Sequence, residues 1–316
     1  MRTRLIGALA AALLLTGPLP IALPAGAYAA VIPPGVIPPG VIPPGVIPPG
    51  AAPIDDAPSV TAAEAYLVDA TARTVLLAKR QTRRVPVASL TKVMTAYVVR
   101  RRAKLDDVIT ITKADVRYAA ANGASHAGLR PGERLTVRDL LYALMLPSGA
   151  DAAHALAQRY GPGIPKFVAG MNDAARRLKM TSTRYANPDG LPSSAYSTAA
   201  DQVALAQVVM RDPVIAAVAK TRKRSVTKSR NHRAHVWRNS NTLLDDGAIG
   251  LKTGYTIKAG YCLAFVADQD GHRLFGVILG ERSDAARHTT ARSLLSWAAG
   301  DSGDDLAGEL VSSVAG

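Results

Sequence analysis

The sequence reads as an α/β (α+β) protein: a sheet flanked by helices, with an all-helical subdomain inserted into it. Three observations carry this. Two strand-like runs, Ala65 to Asp69 and Thr74 to Lys79, are joined by the turn Asp69-Ala70-Thr71-Ala72 and read as a hairpin. From about residue 100 to 221 the apolar residues recur mostly at helical spacings. Strand patterns then return in Gly250 to Thr256, Gly260 to Asp268 and His272 to Leu279, and a helix from Asp284 to Ala298 closes the domain. A helical insertion in a sheet unit leaves a cleft between the two parts, a preferred place for a site.

In chain order, Arg2 and Arg4 precede an apolar run from Leu5 to Leu15, and Ala27-Tyr28-Ala29 has the small-x-small pattern of a signal peptidase site. Pro18, Pro20 and Pro24 interrupt the run, so residues 1–29 read as a secretory signal peptide and not a membrane span. No cysteine follows it, which excludes a lipid-modified N-terminus. Residues 30–58 contain four copies of Val-Ile-Pro-Pro-Gly, at positions 31–50. Two prolines in five block both helix and sheet ladders, so this segment is expected to act as a tether whose repeat number does not affect catalysis. The folded domain is placed at 59–300. Within it, Thr91 to Arg101 reads as a helix, Asp107 to Ile111 as a short β-prone piece, and Gly128 to Glu133 as a turn. Helices are expected at Leu135 to Met145 with Thr136 as N-cap, Asp151 to Tyr160, Ile164 to Leu178, and from a Thr198 cap to Val209. Asn187-Pro188-Asp189-Gly190-Leu191 is a turn. The tail, 301–316, is polar and acidic, with no apolar anchor.

A chain of 316 residues, 48% hydrophobic, has ample material for a large core. Cys262 is the single cysteine, which excludes an internal disulfide and a cysteine-rich metal site. The formal charge of +14 either draws the protein to an anionic surface, such as a cell wall or membrane face, or is spread evenly and aids solubility. Nucleic acid is not expected as a partner: the chain is read as exported, and its basic residues are not interleaved with aromatics.

The chemistry starts at Ser89-Leu90-Thr91-Lys92. Leu90, Val93, Met94, Tyr97 and Val98 have helical spacing, which puts Ser89 at a helix N-terminus and Lys92 one turn on, along the same face. A serine hydroxyl needs a base, and a lysine serves near neutrality only when its pKa is lowered. Ser148 lies in a sharp turn between helices. Lys252-Thr253-Gly254 lies in a strand, where alternation puts Lys252 and Gly254 on one face and Thr253 on the other.

Taken together, Ser-x-x-Lys, Ser-Gly-x and Lys-Thr-Gly, in that order and widely spaced, resemble the triple signature of penicillin-binding proteins and serine β-lactamases. From about Ala65 to Ala298 the chain resembles the serine-type D-alanyl-D-alanine carboxypeptidases, the low-molecular-weight penicillin-binding proteins of peptidase family S11. Gly132-Glu133-Arg134-Leu135-Thr136-Val137, Asn187-Pro188-Asp189-Gly190-Leu191, Ser197-Thr198-Ala199-Ala200-Asp201 and Asn241-Thr242-Leu243-Leu244 extend the match. The resemblance implies a β-lactamase/transpeptidase-like fold with an antiparallel sheet, and removal of the terminal D-alanine from peptidoglycan stem pentapeptides through an acyl-enzyme, with β-lactams as covalent inhibitors. It makes Ser89 the nucleophile, Lys92 the base and Ser148 a proton relay. Lys252 and Thr253 would bind the substrate carboxylate, with Lys252 also helping to keep Lys92 neutral. Beyond Gly254, the backbone N–H of Tyr255 would complete an oxyanion hole with that of Ser89. No cofactor and no metal is implied.

One departure stands out. The family's second motif is usually Ser-x-Asn, and here it is Ser148-Gly149-Ala150, so an active enzyme with altered substrate positioning is expected. His232 and His235 sit among arginines that disfavour a cation; Asp151 and His154 read as an ordinary helix pair; Cys262 reads as a core thiol; Asn187 and Asp189 read as shaping their turn. The alternatives are an endopeptidase or transpeptidase of the same fold, a weakly active or non-catalytic wall-binding relative, and a class A β-lactamase. The last lacks its deacylating glutamate near Asn187–Leu191. Many relatives carry an extra β-rich domain and an anchoring helix; the expectation here is a secreted, extracytoplasmic enzyme, free or associated with the cell wall.

Overall fold

A computed structural model describes residues 57–300. The signal peptide, the Val-Ile-Pro-Pro-Gly tether and the tail lie outside the described residues. The central sheet is antiparallel, with strand order β2-β1-β9-β8-β7: β1 Glu64–Asp69, β2 Thr74–Lys79, β7 Gly250–Thr256, β8 Gly260–Gln269 and β9 His272–Glu281. The β1–β2 turn forms because the Asp69 carboxylate accepts the backbone N–H groups of Thr71 and Ala72, an Asx turn. Between β8 and β9, Asp270 and Gly271 both take positive φ, the geometry a tight hairpin requires.

Alternation along these strands gives the sheet two apolar faces. Tyr66, Val68, Ala264, Val266 and Val277 belong to the larger core, shared with the helices. Ala65, Leu67, Leu263, Phe265 and Ile278 belong to a second core with Ala291, Leu294 and Leu295 of α8, Asp284–Ala298. The large core is centred on α1, Thr91–Arg100, in which nine of ten residues are buried and the buried polar side chains of Lys92 and Thr95 find hydrogen-bond partners. Around it lie α3 (Val137–Met145), α4 (Ala150–Tyr160), α5 (Ile164–Arg177) and α6 (Ala199–Val209). Helix α6 also packs against β1, β8 and β9, so helices and sheet share one continuous core.

Strands β1, β2, β7, β8 and β9 and helices α1, α4, α5, α6 and α8 form within two residues of the expected positions. Helix α3 starts two residues late, because Arg134–Thr136 is taken up as β4, paired with β3 (Val108–Thr110). Thr136 still caps it, accepting from the Asp139 N–H. Helix α2, Lys113–Ala121, was not foreseen: its apolar period is weak, and a Thr112/Asp115 capping box marks its start instead. Also unforeseen are α7, Pro213–Ala219, started by Asp212 and Pro213, and the hairpin of β5 (Lys223–Val226) and β6 (His235–Arg238).

Candidate active site

A short 3-10 turn, Ala88–Leu90, runs directly into α1 and presents Ser89 at the helix start. Lys92 lies one turn on, and its Nζ is 3.0 Å from the Ser89 Oγ. The same Nζ donates to the Asp189 carbonyl at 2.8 Å. Lys92 is 3% exposed. Burial pulls its pKa down to about 8, although the carboxylates of Asp189 and Asp151 work in the opposite direction. A lysine with that pKa has a usable neutral fraction close to neutrality.

Strand β7 closes the other side. Gly254 packs onto the Ser89 turn so tightly that a Cβ there would lie 3.0 Å from the Ser89 backbone nitrogen and 3.1 Å from the Val87 carbonyl oxygen. A side chain there would force the Ser89 turn to give by a few tenths of an ångström. Opposite, Gly190, with φ of +82°, lies against the Ala88 carbonyl, where a side chain would collide with the backbone. The serine turn is thus held between two glycines from distant segments.

The expected alternation of β7 holds in the register. Lys252 and Gly254 pair with Ala264 and Cys262, which face the large core; Thr253 pairs with Leu263, which faces the second. Thr253 meets the cleft, and its Oγ1 is 2.6 Å from the Ser240 Oγ. Lys252 lies behind that wall. It is 1% exposed, its Nζ donates to the Thr253 carbonyl, and its pKa is driven well down by burial and then by the charges of Lys92 and Arg287. Lys252 thus stands behind Thr253, which lines the cleft, rather than in the cleft wall itself.

Ser148 lies in the turn between α3 and α4 with a positive φ of 62°. It lines the cleft, is 7% exposed, and its hydroxyl has no hydrogen-bond partner. Ala150 opens α4, fully buried, with its N–H on the Ser125 carbonyl at 2.8 Å. Its methyl offers nothing to the cleft. Tyr255 is half exposed on the cleft rim, its ring tilted against that of Tyr261.

The cleft these residues share has a volume of about 450 Å³. Four further residues in or behind it were not read from the sequence as functional. Asp189 supplies the carbonyl that orients Lys92; its carboxylate accepts from the Tyr118 hydroxyl and leaves one buried oxygen unpartnered. Tyr118 comes from the unforeseen α2. Ser240 holds Thr253. Arg287 of α8 donates to the carbonyls of Gly254 and Cys262 and lies in the cleft wall. The turn at Asn187–Leu191 was legible as a turn, and Asn187 does shape it by accepting from the Gly190 N–H; the role of the Asp189 carbonyl carries no sequence signal.

The remaining candidates fall outside this cleft. Asp151 and His154 do not pair. Asp151 accepts the N–H groups of Ala127, Leu129 and Ala152, while His154 meets Asp115 of α2 at 2.7 Å. The helix-pair reading failed because each side chain found a partner on another segment. His235 is stacked on Trp237 and bonded to Glu133, while His232, its tilted ring 6.3 Å from that of His235, meets the Arg233 carbonyl through Nδ1. The Cys262 thiol is buried and its pKa is raised to about 11, as suits a core residue.

Residues 52–283 match the family profile of D-alanyl-D-alanine carboxypeptidases, peptidase S11. A D-alanyl-D-alanine carboxypeptidase from a Streptomyces species is 38% identical, over 76% of this chain and 88% of its own length. The Escherichia coli carboxypeptidase DacC is 34% identical over 76% of this chain, which covers 62% of that longer protein. Among solved structures, a Streptomyces DD-transpeptidase superposes with a TM-score of 0.73 at 37% identity, covering 76% of this chain and 98% of that one. With a paired serine and lysine at a helix start, a Lys-Thr-Gly strand beside them and this breadth of similarity, the chain belongs to the peptidase S11 family of penicillin-binding D-alanyl-D-alanine carboxypeptidases.

Proposed function

We propose that this hydrolase removes the terminal D-alanine of a peptidoglycan stem peptide through an acyl-enzyme on Ser89. The observation that carries the reading is the 3.0 Å contact between Ser89 Oγ and a buried lysine whose pKa is about 8. Neutral Lys92 takes the hydroxyl proton as Ser89 attacks the carbonyl of the penultimate D-alanine. The N–H groups of Ser89 and Tyr255 stabilise the oxyanion, at about 3–4 kcal/mol for each donor. The C–N bond then breaks, and Ser148 passes the proton from the Lys92 ammonium to the departing amine. Water, deprotonated by Lys92, attacks the ester and frees Ser89. The leaving residue's carboxylate is held by Thr253, with the Arg287 guanidinium in the cleft wall and Lys252 behind Thr253. A β-lactam enters the same sequence at its amide carbonyl.

The signal-peptide pattern supports export, and the basic balance of the chain supports residence at an anionic wall or membrane face. A second reading, transfer of the acyl group to an amine instead of water, is supported by the structural likeness to a DD-transpeptidase. Mass spectrometry of products from a pentapeptide and from a cross-linked dimer separates the two. Release of one D-alanine from the pentapeptide supports the first reading, and a product joined to an added amine supports the second. A wild-type chain that forms neither product and no penicillin adduct overturns both.

A further inference from the structure

The β5–β6 hairpin presents a second, differently built face. From Pro213 to Leu244 the chain has eight cations and no acid. Alternation sorts them. Arg224, His235 and Trp237 turn inward, Arg224 onto Asp139 and the Tyr142 ring, His235 onto Glu133, Trp237 onto the Ala127 carbonyl. Lys223 and Arg238 turn outward and lie directly opposite one another across the two strands. Like charges in that position repel. Neither has an ion pair or hydrogen bond among the described residues.

Beside them is a pocket of about 310 Å³, lined by Arg222, Lys223, Arg238, Asn239, Asn241 and Asp245 among others. Its one acid, Asp245, is already paired with Arg222. Asn241 is 2% exposed; its side-chain oxygen accepts the Leu243 N–H, and its amide nitrogen has no partner. Two facing cations without a counter-ion and a buried orphan donor in one pocket make a site short of an anion.

We infer that this pocket binds phosphate groups of a linear phosphodiester polymer of the cell envelope, clamped by Lys223 and Arg238, with the Asn241 amide as the further donor. The exposed Lys228 and Arg230 at the hairpin tip extend the positive track, which suits a chain of repeated charges better than a single ion. The pocket adjoins the cleft: Ser240, between Asn239 and Asn241, reaches the Thr253 hydroxyl. A polymer held here would keep the cleft close to wall peptides. The inference specifies the anionic association proposed above and does not depend on the catalytic roles.

The test is binding of full-length chain to fluorescently labelled poly(glycerol phosphate) at several salt concentrations, with penicillin labelling as the check on folding. Lys223→Ala/Arg238→Ala is expected to weaken binding at least tenfold and to reduce the log–log salt slope by about one to two. Asn241→Asp keeps the acceptor for Leu243 but replaces the donor with a charge, and is expected to weaken binding similarly. The control Lys113→Ala/Lys166→Ala removes two exposed cations from elsewhere and is expected to change binding less than twofold. Equal loss in the control overturns the site in favour of diffuse charge. Vesicles of phosphatidylglycerol that bind through Lys223 and Arg238 while the polymer does not would overturn the choice of partner. So would a single-stranded oligonucleotide of equal charge that binds as tightly as the polymer.

Discussion

Two parts of the cleft are built in opposite ways. At the seam between α1 and β7, the side chains around the nucleophile are each tied to a neighbour: Lys92 to Ser89 and Asp189, Thr253 to Ser240, Lys252 to the Thr253 carbonyl, Arg287 to two strand carbonyls. At the α3–α4 turn, Ser148 holds a buried hydroxyl with no partner, on a backbone of positive φ, beside an alanine that adds no polar atom. A buried hydroxyl left unpaired costs about 1–3 kcal/mol. The attacking half is therefore preassembled, while the half that delivers a proton to the leaving group is completed by what enters the cleft.

Substitutions can break this contrast. Ser89→Ala removes the nucleophile, and penicillin labelling followed by gel or intact mass is expected to vanish. Lys92→Ala should slow acylation by about 10²–10⁴-fold, read from the same label against time. Ser148→Ala should cut carboxypeptidase turnover by about 10²-fold, while the thermal midpoint stays level or rises, because an unsatisfied group is lost. A fall in the thermal midpoint would place Ser148 among the structural groups of the seam. Gly254→Ala presses a methyl against the Ser89 turn, and a misplacement of that kind costs up to about 10²-fold. Peptide hydrolysis and penicillin acylation should fall together, since both use the same serine.

The pH profile tests the seam more finely. The base is the neutral form of Lys92, with a pKa of about 8, so acylation should rise about tenfold per pH unit below that value and level off above it. Asp189→Asn removes a carboxylate that favours the charged form. The midpoint should move down by about one unit, raising the rate at pH 6 and leaving it unchanged above pH 9. A midpoint that stays put assigns the effect to the Asp189 carbonyl alone. The smallest change is expected from Ala150→Asn: less than tenfold in kcat/KM for a peptide, and less for a β-lactam. No change in either would show that Ala150 does not limit the site.

Much of this molecule was legible because local chemistry and the final fold agree. Strand β7 and helix α8 have the expected bounds: alternation marks the one, and Ser283, which caps α8 by accepting from the Ala286 N–H, marks the start of the other. The contact of Ser89 and Lys92 follows from helical spacing. What the sequence could not show is contact across long separations. The Asp189 carbonyl reaches Lys92 over 97 positions, and Arg287 reaches Gly254 over 33. Helix α2 and the β5–β6 hairpin lack strong apolar periods, so Tyr118 and the outward pair Lys223 and Arg238 were missed with them. Lys252 was identified by its motif, but its depth behind Thr253 depends on how the Ala88–Leu90 turn and α7, from distant parts of the chain, pack against β7.

Arg287 has a consequence in time. Its guanidinium ties the Gly254 and Cys262 carbonyls, which lie opposite one another in β7 and β8. Strand β1, from the start of the domain, is inserted between β2 and β9, from near its end. Neither arrangement can form on a partly synthesised chain. Pairings of such long sequence separation are slow to close. The nucleophile is made early, but the wall of its cleft is complete only once the last helix has docked.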